Sequence, residues 1–157
     1  MKRYIWFSLL CLSMSCCYAQ VTNKPIKTKW NTLGRGGLQY QLILPKQEIS
    51  IDADSLLVLI QVCNRSNQVQ QLKSIRPVYT PHGRLELYNE KGEAIIKLRC
   101  KKKHAYGVLE LKPKEKKVWK YNLFRMSCTK LDRKALVKGK YTVKFNKSKV
   151  QLTVVDK

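Results

Sequence analysis

The chain has 157 residues, of which 32 are Lys or Arg and only 10 are Asp or Glu, giving a formal net charge of +22 at pH 7. That length fits one ordinary domain, with enough chain to bury a real core without leaning on disulfides. No apolar run reaches the ~20 residues of a membrane-spanning helix, and no cysteine pair with two residues between, histidine pair or acidic calcium loop offers a structural metal site.

The chain opens with Lys2 and Arg3, then an apolar run from Tyr4 to Met14 interrupted only by Ser8 and Ser13. Cys17-Tyr18-Ala19 supplies the small residues a signal peptidase reads, so residues 1–19 read as a signal peptide cut between Ala19 and Gln20. The protein is therefore expected in the periplasm or outside the cell. Losing Lys2 and Arg3 lowers the charge from +22 to +20. Cleavage before Cys16 or Cys17 would instead leave a cysteine to carry lipid. Ser13-Met14-Ser15-Cys16 departs from a lipobox, which favours Leu at the first position and not Met at the second. Membrane association is expected only in that lipidated form.

Residues 20–37 are polar, contain Pro25 and Gly34-Arg35-Gly36-Gly37, and read as a flexible leader to a domain over 38–157. Leu38, Tyr40, Leu42 and Leu44 alternate with Gln39 and Gln41, the two-residue period of a half-buried strand, stopped by Pro45. Asp52 and Asp54 mark a turn. Leu56 to Val62 is almost continuously apolar, as in a central strand covered on both faces. Asn64-Arg65-Ser66-Asn67 breaks it, and Val69 to Ile75 forms a weaker strand.

Arg84 to Tyr88 alternates cleanly, Asn89-Glu90-Lys91-Gly92 makes a hairpin turn, and Ala94 to Cys100 returns with Ile96, Leu98 and Cys100 on one face. Leu109 and Leu111 end another strand before Lys112-Pro113-Lys114-Glu115. Trp119, Tyr121 and Leu123 alternate with polar neighbours, and Tyr141, Val143 and Phe145 do the same. Asn146-Lys147-Ser148 turns the chain into Val150 to Val155. Only Leu131 to Val137 reads as helix, of about two turns. Short strands with evenly spaced turns make the domain all-β, a sandwich or barrel.

Gly139-Lys140-Tyr141 at the start of a strand resembles the tyrosine corner of immunoglobulin-like sandwiches, although Val143 stands where immunoglobulins place their second cysteine. The run Leu57–Val62 into Cys63-Asn64-Arg65-Ser66, the hairpin Leu85–Gly92, and Leu109-Glu110-Leu111 into Lys112-Pro113-Lys114-Glu115 are similar to exported bacterial immunoglobulin-like domains with proteinase-inhibitor-like order. The likeness covers about residues 38–155. It implies an antiparallel β-sandwich of about 7–9 strands, and it bears on fold rather than on function.

Beyond the leader the chain keeps Cys63, Cys100 and Cys128. Export favours one disulfide and leaves one thiol over. Three pairings are open. Cys100–Cys128 is preferred because each closes a strand-like run.

Catalytic chemistry is thin. His82 sits in a turn between Pro81 and Gly83, and His104 follows Lys101-Lys102-Lys103, whose charge opposes its protonation. Asp52 and Asp54 fit a turn better than an acid–base couple, and no glycine-rich phosphate loop follows a strand. The chain is therefore read as non-enzymatic, with no cofactor and no metal.

The charge is uneven: residues 97–149 hold 19 Lys or Arg against Glu110, Glu115 and Asp132. Such a field attracts acidic partners. Lys101, Lys102, Lys103, Lys114, Lys116 and Lys117 are the candidate contacts. Alternation places Trp119, Tyr121, Tyr141 and Phe145 opposite Lys120, Lys140 and Lys144, making the aromatics core rather than base-stacking platforms. Nucleic acid is therefore not the expected partner. The sequence reads as a monomeric exported binding module for an acidic protein or an anionic envelope component. An inhibitor or immunity-type protein blocking a secreted hydrolase is the alternative.

Overall fold

A computed structural model describes residues 24–33, 36–75, 80–81, 84–97, 106–124 and 136–156. Every regular element among them is a strand. In chain order these are β1 (Ile26–Lys27), β2 (Asn31–Thr32), β3 (Leu38–Leu44), β4 (Glu48–Ser50), β5 (Leu57–Asn64), β6 (Gln70–Ile75) and β7 (Thr80–Pro81). β8 (Leu85–Tyr88), β9 (Ala94–Lys97), β10 (Tyr106–Leu111), β11 (Lys116–Asn122), β12 (Gly139–Phe145) and β13 (Ser148–Val155) follow.

The strands form three open sheets. One runs β1-β3-β5-β11 with β2 also on β3, a second β4-β13-β12-β8-β9, and a third, smaller one β10-β6-β7. None of them closes into a barrel. The fold is all-β, as the alternation predicts.

Side-chain alternation builds the core. On β3, Leu38, Tyr40, Leu42 and Leu44 are buried while Gln39 and Gln41 are half-buried on the other face. On β12, Tyr141, Val143 and Phe145 are buried, as are Val150, Leu152 and Val154 on β13. These residues of both five-stranded sheets join one apolar cluster with Leu72 and Leu111 of the smaller sheet. Tyr40 and Phe145 meet across it edge to face, ring centroids 5.2 Å apart at 84°. The Tyr40 hydroxyl also accepts from the Lys147 amide at 3.1 Å and donates to the Phe145 carbonyl at 3.4 Å. The hairpin between β12 and β13 is thereby fastened to β3.

The structure departs from the sequence reading in three places. Within the stretch read as a leader, β1 and β2 both pair with β3, and Thr28 accepts from the Leu42 amide through Oγ1 at 3.1 Å. Two-residue strands leave no readable period, so only long-range pairing reveals them. β4, three residues and likewise too short to show a period, runs parallel to β13 with Glu48 opposite Thr153, where only antiparallel pairing is expected. β5 is central, between β3 and β11, but only its inner face is fully buried: Val58, Ile60 and Val62 are sealed, whereas Leu57 is 47% exposed. Leu98, Cys100 and most of the expected helix at Leu131–Val137 lie outside the described residues, as does the expected signal peptide.

Tyr141 fixes the entry to β12. Its hydroxyl donates to the Val137 carbonyl at 2.7 Å and accepts from the Val137 amide at 2.9 Å. Tyr141→Phe strands both backbone groups, and urea unfolding should register a loss of about 1–3 kcal/mol. A loss under 0.5 kcal/mol would mean that water replaces the hydroxyl without cost.

Candidate binding surface

The lysine-rich turn sits where two paired strands leave one sheet and enter another. β5 pairs with β11 from Leu57↔Asn122 to Cys63↔Lys116, and β6 pairs with β10 from Gln70↔Leu111 to Ile75↔Tyr106. The segments joining β5 to β6 and β10 to β11 therefore lie side by side, and Asn64 ties them. Its side chain is fully buried. Nδ2 donates to the carbonyls of Gln68 at 2.7 Å, Leu111 at 3.0 Å and Lys112 at 3.2 Å. Oδ1 accepts from the Ser66 amide at 2.9 Å and its hydroxyl at 2.7 Å. Every hydrogen-bonding position of one amide is used to hold two loops in register.

The turn Lys112-Pro113-Lys114-Glu115 is pinned from both sides. The Lys114 amide donates to the Asn64 carbonyl and the Asn64 amide to the Glu115 carbonyl. The Glu115 carboxylate accepts from the Lys112 amide at 2.7 Å. Its other oxygen lies 3.6 Å from Lys117 Nζ. Lys114 takes φ of 62°, a strained backbone for a residue with a Cβ, held by these bonds.

This arrangement exposes Lys112, Lys114 and Lys116, while Lys117 is half-buried. Glu115, the one acid in the turn, is committed to the backbone and to Lys117. Among the described residues no carboxylate pairs with Lys112, Lys114 or Lys116. Of the six lysines read as contacts, Lys114 and Lys116 are exposed on the turn and at the start of β11, while Lys117, the next residue of that strand, takes the opposite face from Lys116. Lys101, Lys102 and Lys103 lie outside the described residues, with Cys100, Cys128, His82 and His104. Lys112 and Lys120 are not among the contacts expected from the sequence, although Lys116 and Lys120, four residues apart on one strand, must share a face.

Tyr121 is buried and Trp119 packs against the core, with Lys120 exposed on the opposite face. Cys63 is a buried free thiol. Among the described residues no three His, Cys, Asp or Glu side chains gather as metal ligands, and no helix is long and apolar enough to cross a membrane.

The displaced titrations concern surface ties. The Tyr88 hydroxyl donates to Glu86 at 2.9 Å, and this bond above all raises its pKa. Lys138 bonds Asp156 at 2.7 Å, which raises the ammonium's pKa. Both shifts lead away from neutrality.

No family model matches the sequence, and no curated protein matches it. Among solved structures, a β-glucosidase from Erythrobacter marinus aligns at 16% identity with a TM-score of 0.40, covering 84% of this chain and 15% of that one. A mutant β-glucosidase from Listeria innocua in complex with laminaribiose aligns at 11% identity and 0.42, covering 84% and 16%. A β-D-glucoside glucohydrolase from Trichoderma reesei aligns at 9% and 0.38, covering 85% and 19%. The chain thus spans less than a fifth of each of these proteins.

Proposed function

We propose that the protein is an exported, non-enzymatic binding module that engages an acidic protein or an anionic component of the envelope through the turn from Lys112 to Lys117. The observation that carries this reading is the clustering of three exposed lysines on a turn whose only acid is already spent on holding it. Charge of one sign carried on a pinned backbone turn speeds encounter with an oppositely charged partner. An immunoglobulin-like sandwich is the proposed architecture, supported by the Tyr141–Val137 bonds and by the core that the two five-stranded sheets share.

Retention on an immobilised polyaspartate matrix tests the role of the turn. Lys112→Glu/Lys114→Glu/Lys116→Glu should elute at much lower salt than the native chain. Lys147→Glu/Lys149→Glu, on the exposed β12–β13 hairpin, should elute close to it. If charge reversals at the two places shift elution equally per residue, net charge alone binds and the turn has no special part.

A further inference from the structure

Five large apolar side chains stand out as exposed among the described residues: Leu57, Val69, Val108, Val118 and Val137. Four of the five belong to the ribbon in which β5 and β11 pair, turn the Asn64 corner, and are followed by the pair β6 and β10. Leu57 is 47% exposed, Val118 49%, Val69 53% and Val108 56%.

Register explains their placement. Val58, Ile60 and Tyr121 point into the core, so Leu57, Leu59 and Val118 lie on the outer face of the sheet. Leu72 and Leu111 point into the same core, so Val108 lies on the outer face of the smaller sheet. The lysines interleave with them. Lys116 and Lys120 flank Val118 along β11, and Lys112 stands at the corner. Glu110, the acid on this face, takes a hydrogen bond from Gln71. On a strand, Lys116, Val118 and Lys120 span about 14 Å at ~3.4 Å per residue, with Leu59 opposite Lys120.

We infer that this face docks on the surface of an anionic lipid bilayer. The inference rests on the reading above that the chain binds an anionic partner, and it names that partner. Two features of the face select lipid over protein. Protein hot spots are built from Trp, Tyr and Arg; none of these is among the exposed residues of β5 or β11, and the exposed Arg65 at the corner is engaged over the Trp30 ring, 5.1 Å from its centroid. Lysines spread among separate aliphatic side chains instead suit a laterally continuous charged surface: each ammonium meets headgroups while Val118 and Leu57 reach the acyl boundary. Such a surface needs no bidentate grip, so lysine serves where a specific phosphate site would call for arginine. It also allows membrane contact without the lipid anchor that the sequence reading required.

Sedimentation with vesicles tests it. The chain is taken as processed after export, its N-terminus checked by mass spectrometry so that any acylated form is set aside. It should sediment with phosphatidylglycerol–phosphatidylcholine vesicles and not with phosphatidylcholine alone. Each lysine is worth about fivefold in partitioning, so Lys116→Gln/Lys120→Gln should weaken it more than tenfold. Leu57→Ser/Val118→Ser, which leaves charge unchanged, should weaken it at least threefold. Lys147→Gln/Lys149→Gln should change it less than threefold, and circular dichroism should report every variant as folded. Equal losses from the two lysine pairs, or no loss from the serine pair, would overturn the assignment to this face. Binding to soluble polyaspartate without binding to vesicles would overturn lipid as the partner and leave the proposed function standing. Binding to neither would remove both.

Discussion

Replacing Asn64 by Asp should destabilise the protein by about 3 kcal/mol or more near pH 7, and the loss should shrink as the pH is lowered. The substitution keeps the shape of the side chain. It puts an oxygen where Nδ2 now donates to the carbonyls of Gln68, Leu111 and Lys112. An ionised carboxylate there faces three carbonyl oxygens in a site sealed from water, and a buried charge without a partner costs several kcal/mol. The group can escape only by staying protonated, so its pKa in the folded state rises above the ~3.9 of an unfolded Asp. Between those two values the folded state holds more protons than the unfolded one, and stability falls as pH rises, by about 1.4 kcal/mol per unit. Below the unfolded value that penalty vanishes. What remains is the lost donor capacity of the amide, about 1–2 kcal/mol. Urea unfolding of both proteins from pH 4 to pH 8 measures this. A difference that does not change with pH would show that the corner opens and lets water reach the carboxylate. Because Asn64 also fixes the lysine turn, the variant should lose salt-sensitive polyaspartate retention before it unfolds globally.

Phe145→Ala should cost about 3–5 kcal/mol. Phe145 is 1% exposed and is among the largest fully buried side chains of the protein. Its removal exposes no new surface that solvent can fill; it leaves a hole between the two five-stranded sheets. The edge of one ring on the face of the other at 5.2 Å adds a specific term. A double-mutant cycle with Tyr40→Leu should therefore show a coupling of about 0.5–1.5 kcal/mol. Val137→Ala, at a side chain 59% exposed, serves as the contrast and should change stability by less than 0.5 kcal/mol. A Phe145→Ala loss below 1.5 kcal/mol would mean that the sheets close over the gap, and the shared core would be less closely packed than its burial implies.

The strands that the sequence made legible are those long enough to repeat their own period. Leu38 to Leu44, Lys116 to Asn122 and Gly139 to Phe145 each alternate over several residues, and each is a strand with its aromatic residues turned inward, although Val118 on the second is left on the outer face. The same alternation correctly separates Tyr121, Tyr141 and Phe145 from the lysines beside them. β1, β2, β4 and β7 have two or three residues apiece. Their strand character comes from the partner they pair with and not from any local repeat. Leu57 shows the opposite error: a continuous apolar run signals burial on both faces, yet its outer face ends in solvent.

The candidate site divides in the same way. Lys114, Lys116 and Lys117 are neighbours in sequence, so the run of charge could be read directly, but alternation along β11 turns Lys116 and Lys117 to opposite faces. Asn64 could not be: as part of Asn64-Arg65-Ser66-Asn67 it reads as one more turn residue, and its acceptors at Leu111 and Lys112 lie almost fifty positions away.

The chain's charge and its all-β character follow from the sequence alone, because ionisable groups can be counted and a two-residue period is a property of neighbouring residues. Which lysines face outward together, which carbonyls one buried amide satisfies, and which valines are left on the surface were decided only by the tertiary structure. Those outcomes depend on the register between strands far apart in the chain, and a shift of one residue would turn each of these side chains to the other face.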